Sequence, residues 1–205
     1  MTSPKSSSVD LRAGFAPEIR RLLEESIRTK QRVLAALVPE IERVAHLWIE
    51  ALASGKKILL FGNGGSAADS QHIAAELVGR LLVKRRALPA IALTTDSSNL
   101  TALANDFGYD QIFERQIEAL GAAGDVAVGI STTGNSPNVL AGIRLARERG
   151  LRTVALTGRD GGALAGLVDH ALTIPSDSTQ RIQEAHITIG HILCELVESH
   201  FSAPR

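Results

Sequence analysis

Residues 58–80 read ILLFGNGGSAADSQHIAAELVGR, and this stretch decides the fold. An apolar run from Ile58 to Phe61 meets a glycine turn at Gly62, Gly64 and Gly65, and Ser66 then opens a pattern with helical spacing. The order is strand, tight turn, helix N-terminus. Free backbone N–H groups and the helix dipole make such a terminus an anion site suited to phosphate. His72 and Glu76 follow on the same expected helix. Four residues apart, they sit about 40° from one another around the axis and share a face. A phosphate cradle beside a His/Glu pair points to a phosphorylated substrate and to acid–base or metal chemistry. The loop lacks the Gly-Lys-Ser/Thr signature of a Walker loop and the G-x-G-x-x-G spacing of a dinucleotide fingerprint, which argues against nucleotide binding.

Outward from this unit, a βα rhythm runs from Lys57 onward. Strands are expected at 57–62, 88–94, 125–130, 152–157 and 168–174, each short, apolar and bounded by turn signals. Helical patterns fill 66–85, 97–105, 109–120, 136–149 and 179–200. Continuous apolar strands alternating with helices imply a parallel sheet covered on both faces. The fold class is therefore α/β, a flavodoxin-like, doubly wound, five-stranded parallel sheet. Such sheets bind ligands beyond the carboxyl ends of their strands, near the switch in strand order. Ahead of it, residues 16–54 carry apolar residues from Leu22 to Ile49 at helical spacing, a two-helix extension whose internal break the pattern leaves open. Ser54-Gly55 reads as the C-cap of its second helix. Residues 1–15 read as a frayed polar tail and 16–205 as a single domain.

Composition sets the bounds. The 205 residues are 44% hydrophobic but only 3% aromatic, so aliphatic and alanine packing must fill the core. Lys and Arg total 22 and Asp and Glu total 22, a net charge of zero that argues against a nucleic-acid partner. No apolar run approaches the roughly 20 residues that span a bilayer, so no membrane partner is expected. The opening MTSPKSSSVDLRAG has no signal-peptide core. The one cysteine, Cys194, excludes an internal disulfide and fits a reducing cytoplasm.

Two further segments carry chemistry. The stretch 125–140, DVAVGISTTGNSPNVL, sets Ser131, Thr132, Thr133 and Ser136 around Gly134 after the third strand, with Pro137 in the next helix's first turn. Hydroxyls and free N–H groups there can hold a phosphate monoester without lysine. The plainer reading is a Ser/Thr N-cap in a polar turn. Residues 179–198, TQRIQEAHITIGHILCELVE, place Gln183, Ile187 and His191 four apart, sweeping about 80° of one helix face. His186 lies about 60° to the other side of Gln183. His72 and Glu76 on one helix with Gln183 and His191 on another could make a four-ligand site suited to Zn²⁺ or another first-row divalent metal, although glutamine is an uncommon ligand that spacing alone does not propose. The alternatives are an exposed helix pair and a structural histidine. Cys194, three after His191, reads as a buried, inert thiol.

Taken together, these segments resemble the sugar isomerase (SIS) domain family, and within it the phosphoheptose isomerases. The motifs that carry the resemblance are FGNGGSAADSQHIAAELVGR, TTDSSNLTALANDFGYDQIF, GISTTGNSPNVL and TQRIQEAHITIGHILCELVE, and it extends over residues 16–200. The resemblance implies a homotetramer with active sites at subunit interfaces. It implies a phosphate held among Ser66, Ser131, Thr132, Thr133 and Ser136 beside Gly64 and Gly65. One Zn²⁺ per subunit would sit on His72, Glu76, Gln183 and His191. Glu76 matches the general base and His191 the general acid. Arg80 and Asp106 match positions lining the sugar pocket, and Asn63 and Gln183 are further candidates for sugar contacts.

The implied activity is aldose–ketose isomerisation through an enediol, from sedoheptulose 7-phosphate to D-glycero-D-manno-heptose 7-phosphate. That is the first step towards nucleotide-activated heptose for the lipopolysaccharide core. Two alternatives stand beside it. One is a non-catalytic SIS adaptor that binds a replication initiator protein. The other is an SIS isomerase for another phosphosugar, which the hydroxyl loops alone would also fit.

Overall fold

The computed structural model describes residues 14–202. The tail expected over 1–15 therefore lies, up to residue 13, outside the described residues. Five parallel strands form one sheet in the order β2-β1-β3-β4-β5. They are β1 (Ile58–Gly62), β2 (Ala90–Ala92), β3 (Val126–Ser131), β4 (Arg152–Gly158) and β5 (His170–Ile174). The helices are α1 (Ala16–Ala36), α2 (Val38–Ala53), α3 (Gly65–Val78), α4 (Ser97–Phe107), α5 (Ile112–Leu120), α6 (Pro137–Glu148), α7 (Gly162–Ala165) and α8 (Thr179–Ser202). The flavodoxin-like reading holds, and the observed order 2-1-3-4-5 is the one typical of that class. The order reverses between β1 and β3, so the ligand crevice of such a sheet lies above that pair.

The pleat explains the two layers. Alternate residues of β1 point to opposite faces. Ile58 and Leu60 join a core with Trp48 of α2, Ile73 and Leu77 of α3, and Ile189 and Leu193 of α8. Leu59 and Phe61 join the opposite core with Phe113 and Ile117 of α5 and Val139 and Ile143 of α6. Each such side chain contributes about 1.5–3 kcal/mol when fully buried. Phe61 and Phe113 form one aromatic contact, centroids 5.2 Å apart. Apart from these two, Trp48 and the partly buried Phe201, aliphatic residues fill most of both layers, as the composition requires.

The break in the helical extension falls at Leu37. Pro39 has no N–H to give Ala35, and its ring crowds that carbonyl, so α1 cannot run on. At the other end of α2, the Gly55 N–H bonds Leu52 O and the Lys56 N–H bonds Ala51 O. With Gly55 at φ +74°, this is the Schellman pattern expected of Ser54-Gly55.

Three element boundaries differ from expectation. The helix expected over 66–85 ends at Val78, and the strand expected over 88–94 is only Ala90–Ala92. Apolar residues continue at helical spacing through Leu81 and Leu82. However, the N–H groups of Leu81, Leu82 and Val83 are captured by the distant Glu198 carboxylate, which pulls the chain out of the helix. The expected helix 109–120 begins as a 3-10 turn, Tyr109–Gln111, and the four-residue α7 was not foreseen.

Candidate functional site

The loops after β1 and β3 meet at the switch point. Gly62 pairs with Ile130 across the sheet. A Cβ on Gly62 would stand 2.7 Å from Ile130 O and 2.8 Å from the Ser66 Cβ, so glycine is required there. Ser66 is buried at the start of α3, in the direction of the helix dipole. Across the gap, the Ser131 and Ser136 hydroxyls lie 2.9 Å apart, and Thr132 and Thr133 are half-buried beside them. Gly134 takes φ +67°, where a Cβ would come within 1.9 Å of Gly161 O. The β3–α6 loop is thus pressed onto the β4–α7 loop and has one shape. The N-termini of α3 and α6 face this hydroxyl-lined space together, an arrangement that can accept an anion with no lysine in it.

A carboxamide pair latches the two loops. Asn63 Nδ2 donates to Asn138 Oδ1 at 2.9 Å, and Asn138 Nδ2 returns the bond at 2.9 Å. Tyr109 OH donates to Asn63 Oδ1 at 3.1 Å, and the Val139 N–H to Asn138 Oδ1 at 2.9 Å. Asn63 is therefore already engaged within the protein. Sequence reasoning missed Asn138 and Tyr109. The only signal for Asn138 was its place beside Pro137, in the first turn of a helix that opens at the cradle.

The acid–base cluster is built between α3 and α8. These helices run in the same sense: Gly65 meets Gln183, and His72 meets His191 further along. His72 Nε2 lies 2.8 Å from His191 Nε2 and 3.3 Å from Glu76 Oε1. The two rings meet edge to face with centroids 4.9 Å apart. One proton can be shared between the facing ring nitrogens. The ligand atoms of His72, Glu76 and His191 all lie within 4.8 Å of one another. Two imidazole nitrogens and a carboxylate oxygen fit a divalent first-row cation, and three protein donors leave a position open for substrate, as in catalytic zinc sites.

Gln183 stands elsewhere. Its carboxamide packs on Gly65, where an added Cβ would sit 2.5 Å from Nε2. Eight residues along α8 separate it from His191, a rise of about 12 Å. Within one chain the structure thus groups His72, Glu76 and His191, and sets Gln183 at the phosphate cradle. Arg80 is exposed just past α3. Asp106, exposed near the end of α4, accepts from Asn105 Nδ2 at 2.8 Å. No hydrogen bond or ion pair among the described residues joins either to the cluster.

Burial tunes the neighbours. Asp69, one turn before His72, has its carboxyl pushed up to about 6 by burial, with the His72 charge opposing. Its Oδ2 is buried with no hydrogen-bond partner. No local pattern around Asp69 marks this burial. Burial pushes the Cys194 thiol up to about 12, helped by the Glu76 charge, so it stays protonated and inert as expected. Burial lowers His186 to about 4, and its Nε2 lies 3.0 Å from Thr157 O. It is a neutral structural histidine, off the His191 face as its spacing indicated.

The family model described as the SIS domain matches residues 21–158. The phosphoheptose isomerase of Aquifex aeolicus is 55% identical over 181 residues, covering 88% of this chain and 95% of that protein. The phosphoheptose isomerase of Geobacter sulfurreducens is 58% identical over 176 residues, covering 84% and 93%. Among solved structures, the phosphoheptose isomerase GmhA from Neisseria gonorrhoeae superposes with a TM-score of 0.85 at 47% identity, over 89% of this chain and 98% of that one. A phosphoheptose isomerase from Francisella tularensis gives 0.87 at 38% identity, over 89% and 97%.

Proposed function

The chain belongs to the SIS domain family and, within it, to the phosphoheptose isomerases, and on that premise we propose how its own residues carry out the reaction. The activity is aldose–ketose isomerisation of sedoheptulose 7-phosphate to D-glycero-D-manno-heptose 7-phosphate. The observation that carries the residue assignment is the pairing, along α3, of a lysine-free hydroxyl cradle at its N-terminus with a His/Glu/His cluster further along that it shares with α8.

In this proposal the phosphate docks among Ser66, Ser131, Thr132, Thr133 and Ser136, on the N-termini of α3 and α6. Gly64 and Gly65 let the sugar chain approach the backbone, and Gln183, packed on Gly65, orients it. Holding the phosphate end fixes where C1 and C2 fall, and such positioning supplies a large part of the rate. After ring opening, the Glu76 carboxylate takes a proton from C1, beside the ketone, and an enediol forms. The same carboxylate returns the proton to C2, while His191 services the oxygens. Each role contributes roughly 10²–10⁴-fold. Glu76 Oε1 faces His72, which leaves the second oxygen to carry the proton. His72, Glu76 and His191 would hold one Zn²⁺ per subunit, which when bound would polarise the carbonyl and offset charge on the enediolate. Arg80 and Asp106 are assigned to the sugar pocket on family resemblance.

The proposal extends to assembly and setting. Residues 16–205 form one SIS domain that works as a homotetramer. Along α1, Ile19, Leu23 and Ile27 are each more than half exposed, an apolar stripe that a monomer seldom leaves open. A subunit seated there would close active sites at the interfaces. Among the described residues no helix is long and apolar enough to cross a membrane. We place the enzyme in the cytoplasm, supplying activated heptose for the lipopolysaccharide core.

The test is isomerisation of sedoheptulose 7-phosphate by chelator-stripped protein, before and after Zn²⁺ is added, with fructose 6-phosphate as control. Turnover of the heptulose alone, restored by the metal, is expected. Folded, zinc-loaded protein that converts neither sugar would overturn the reading.

A further inference from the structure

Between Gly79 and Pro89 the chain crosses from α3 to β2 without regular structure. One buried ion pair nevertheless ties it down. Arg85 Nε lies 3.3 Å from Glu198 Oε2, and both side chains are almost sealed from solvent, at 1% and 2% exposure. Arg85 Nη2 donates to Glu76 O at 2.7 Å. Its Nη1 reaches Leu77 O at 2.9 Å, Gly79 O at 3.3 Å and Arg86 O at 2.9 Å. Three of these carbonyls belong to the last turn and cap of α3, where helices leave acceptors unpaired. A guanidinium there also meets the negative end of the helix dipole.

Glu198 works on the other side of the pair. It accepts from the N–H groups of Leu81 at 2.8 Å, Leu82 at 2.5 Å and Val83 at 2.8 Å. Arg80 immediately precedes these three residues. On α8, Glu198 falls seven residues after His191, about 20° away around the axis, on the same stripe facing α3. Burying an ion pair gains little stability over an apolar pair of equal volume. An apolar pair, however, would leave four carbonyls and three N–H groups without these partners.

We propose that Arg85 and Glu198 are positioning residues for the isomerisation. They fix the backbone of Glu76 and the segment that presents Arg80, so that base and guanidinium meet the sugar in one register. The inference rests on the assignment of Glu76 as base and metal ligand.

The experiment compares Glu198→Gln and Arg85→Lys with Asp125→Asn. Asp125 forms an ion pair with Lys57 at the amino edge of the sheet, away from the cleft, so its variant reports simple loss of stability. Four quantities are read: Tm, kcat for sedoheptulose 7-phosphate, inhibition by inorganic phosphate, and Zn²⁺ affinity of the chelator-stripped protein. Glu198→Gln and Arg85→Lys are expected to lower kcat and zinc affinity by roughly 10–100-fold. Phosphate inhibition stays near wild type, and Asp125→Asn lowers Tm while keeping kcat. Arg85→Lys retains the charge without the fork and carries the test if Glu198→Gln fails to fold. Native kcat and zinc affinity in the folded variants would overturn the inference, as would equal losses in Asp125→Asn. A wild-type protein that does not isomerise the sugar would instead remove the functional reading, and the zinc titrations would then decide this inference alone.

Discussion

The two ends of the cleft are built differently. The phosphate end is made of backbone: two helix N-termini, glycines at Gly62, Gly64 and Gly134, and short hydroxyl side chains. Its shape follows from strand order and steric exclusion, and its members lie in two short segments. The acid–base end is made of long side chains from two helices, with His72 and Glu76 on one and His191 on the other, 119 residues from His72. Its geometry depends on how α3 and α8 pack and on what holds α3 at its C-terminal end. In the proposed function the first end grips the phosphate and the second reacts. Damage to the two should therefore separate in kinetics.

The largest effect is expected at the reacting end. His191→Gln should lower kcat by roughly 10²–10⁴-fold while inhibition by inorganic phosphate stays near wild type. Steady-state kinetics with phosphate as competitor would show it, and a rise in the inhibition constant to match would erase the distinction between the ends. At the gripping end, Asn138→Ala removes the latch and leaves the Asn63 carboxamide short of a partner, at about 1–3 kcal/mol. We expect KM to rise about tenfold, in line with that loss, while kcat changes less. A fall in kcat at unchanged KM would mean that the latch serves the chemistry instead.

The smallest effect concerns stability and spares both ends. Burial would raise the Asp125 carboxyl, but the Lys57 side chain and N–H and the Ala122 N–H outweigh it and hold the group below its ordinary 3.8. Folding therefore gains from the carboxylate in full above about pH 3.8, and loses that gain as pH falls through the lowered folded value. Glu198 behaves in the same way below its ordinary 4.5: burial opposes ionisation, and the N–H groups of Leu81, Val83 and Leu82 with Arg85 prevail. From pH 7 to 5 the loss from the lowered His186 and the gain from the raised Asp69 oppose one another, and thermal melts should show Tm falling steeply below about 4. Asp125→Asn should lower Tm at pH 7 by roughly 2–8 °C and flatten the acid limb. An unchanged acid limb would remove Asp125 from the account.

The contrast between the two ends also explains what could be read from the sequence. The strands, the two hydroxyl loops and the His72/Glu76 spacing are local patterns, and apart from the shortened β2 each lies where its pattern puts it. The end of α3 was not legible, because the apolar spacing continues past Gly79. What stops the helix is Glu198, 115 residues from Val83. The Asn63–Asn138 latch spans 75 residues and leaves no periodic trace. Gln183 reads along the helix as a partner of His191, whereas packing sets it against Gly65. The raised Asp69 carboxyl likewise follows from burial that only the assembled helices create.

The most direct test of this division of labour is Glu76→Gln, assayed for turnover of sedoheptulose 7-phosphate and for binding of the same sugar by calorimetry. The account predicts that turnover is lost while the sugar still binds with an affinity near that of wild type, because the phosphate cradle is untouched. Near-normal turnover would contradict the assignment of Glu76 as base. Loss of binding together with turnover would contradict the separation of grip from chemistry.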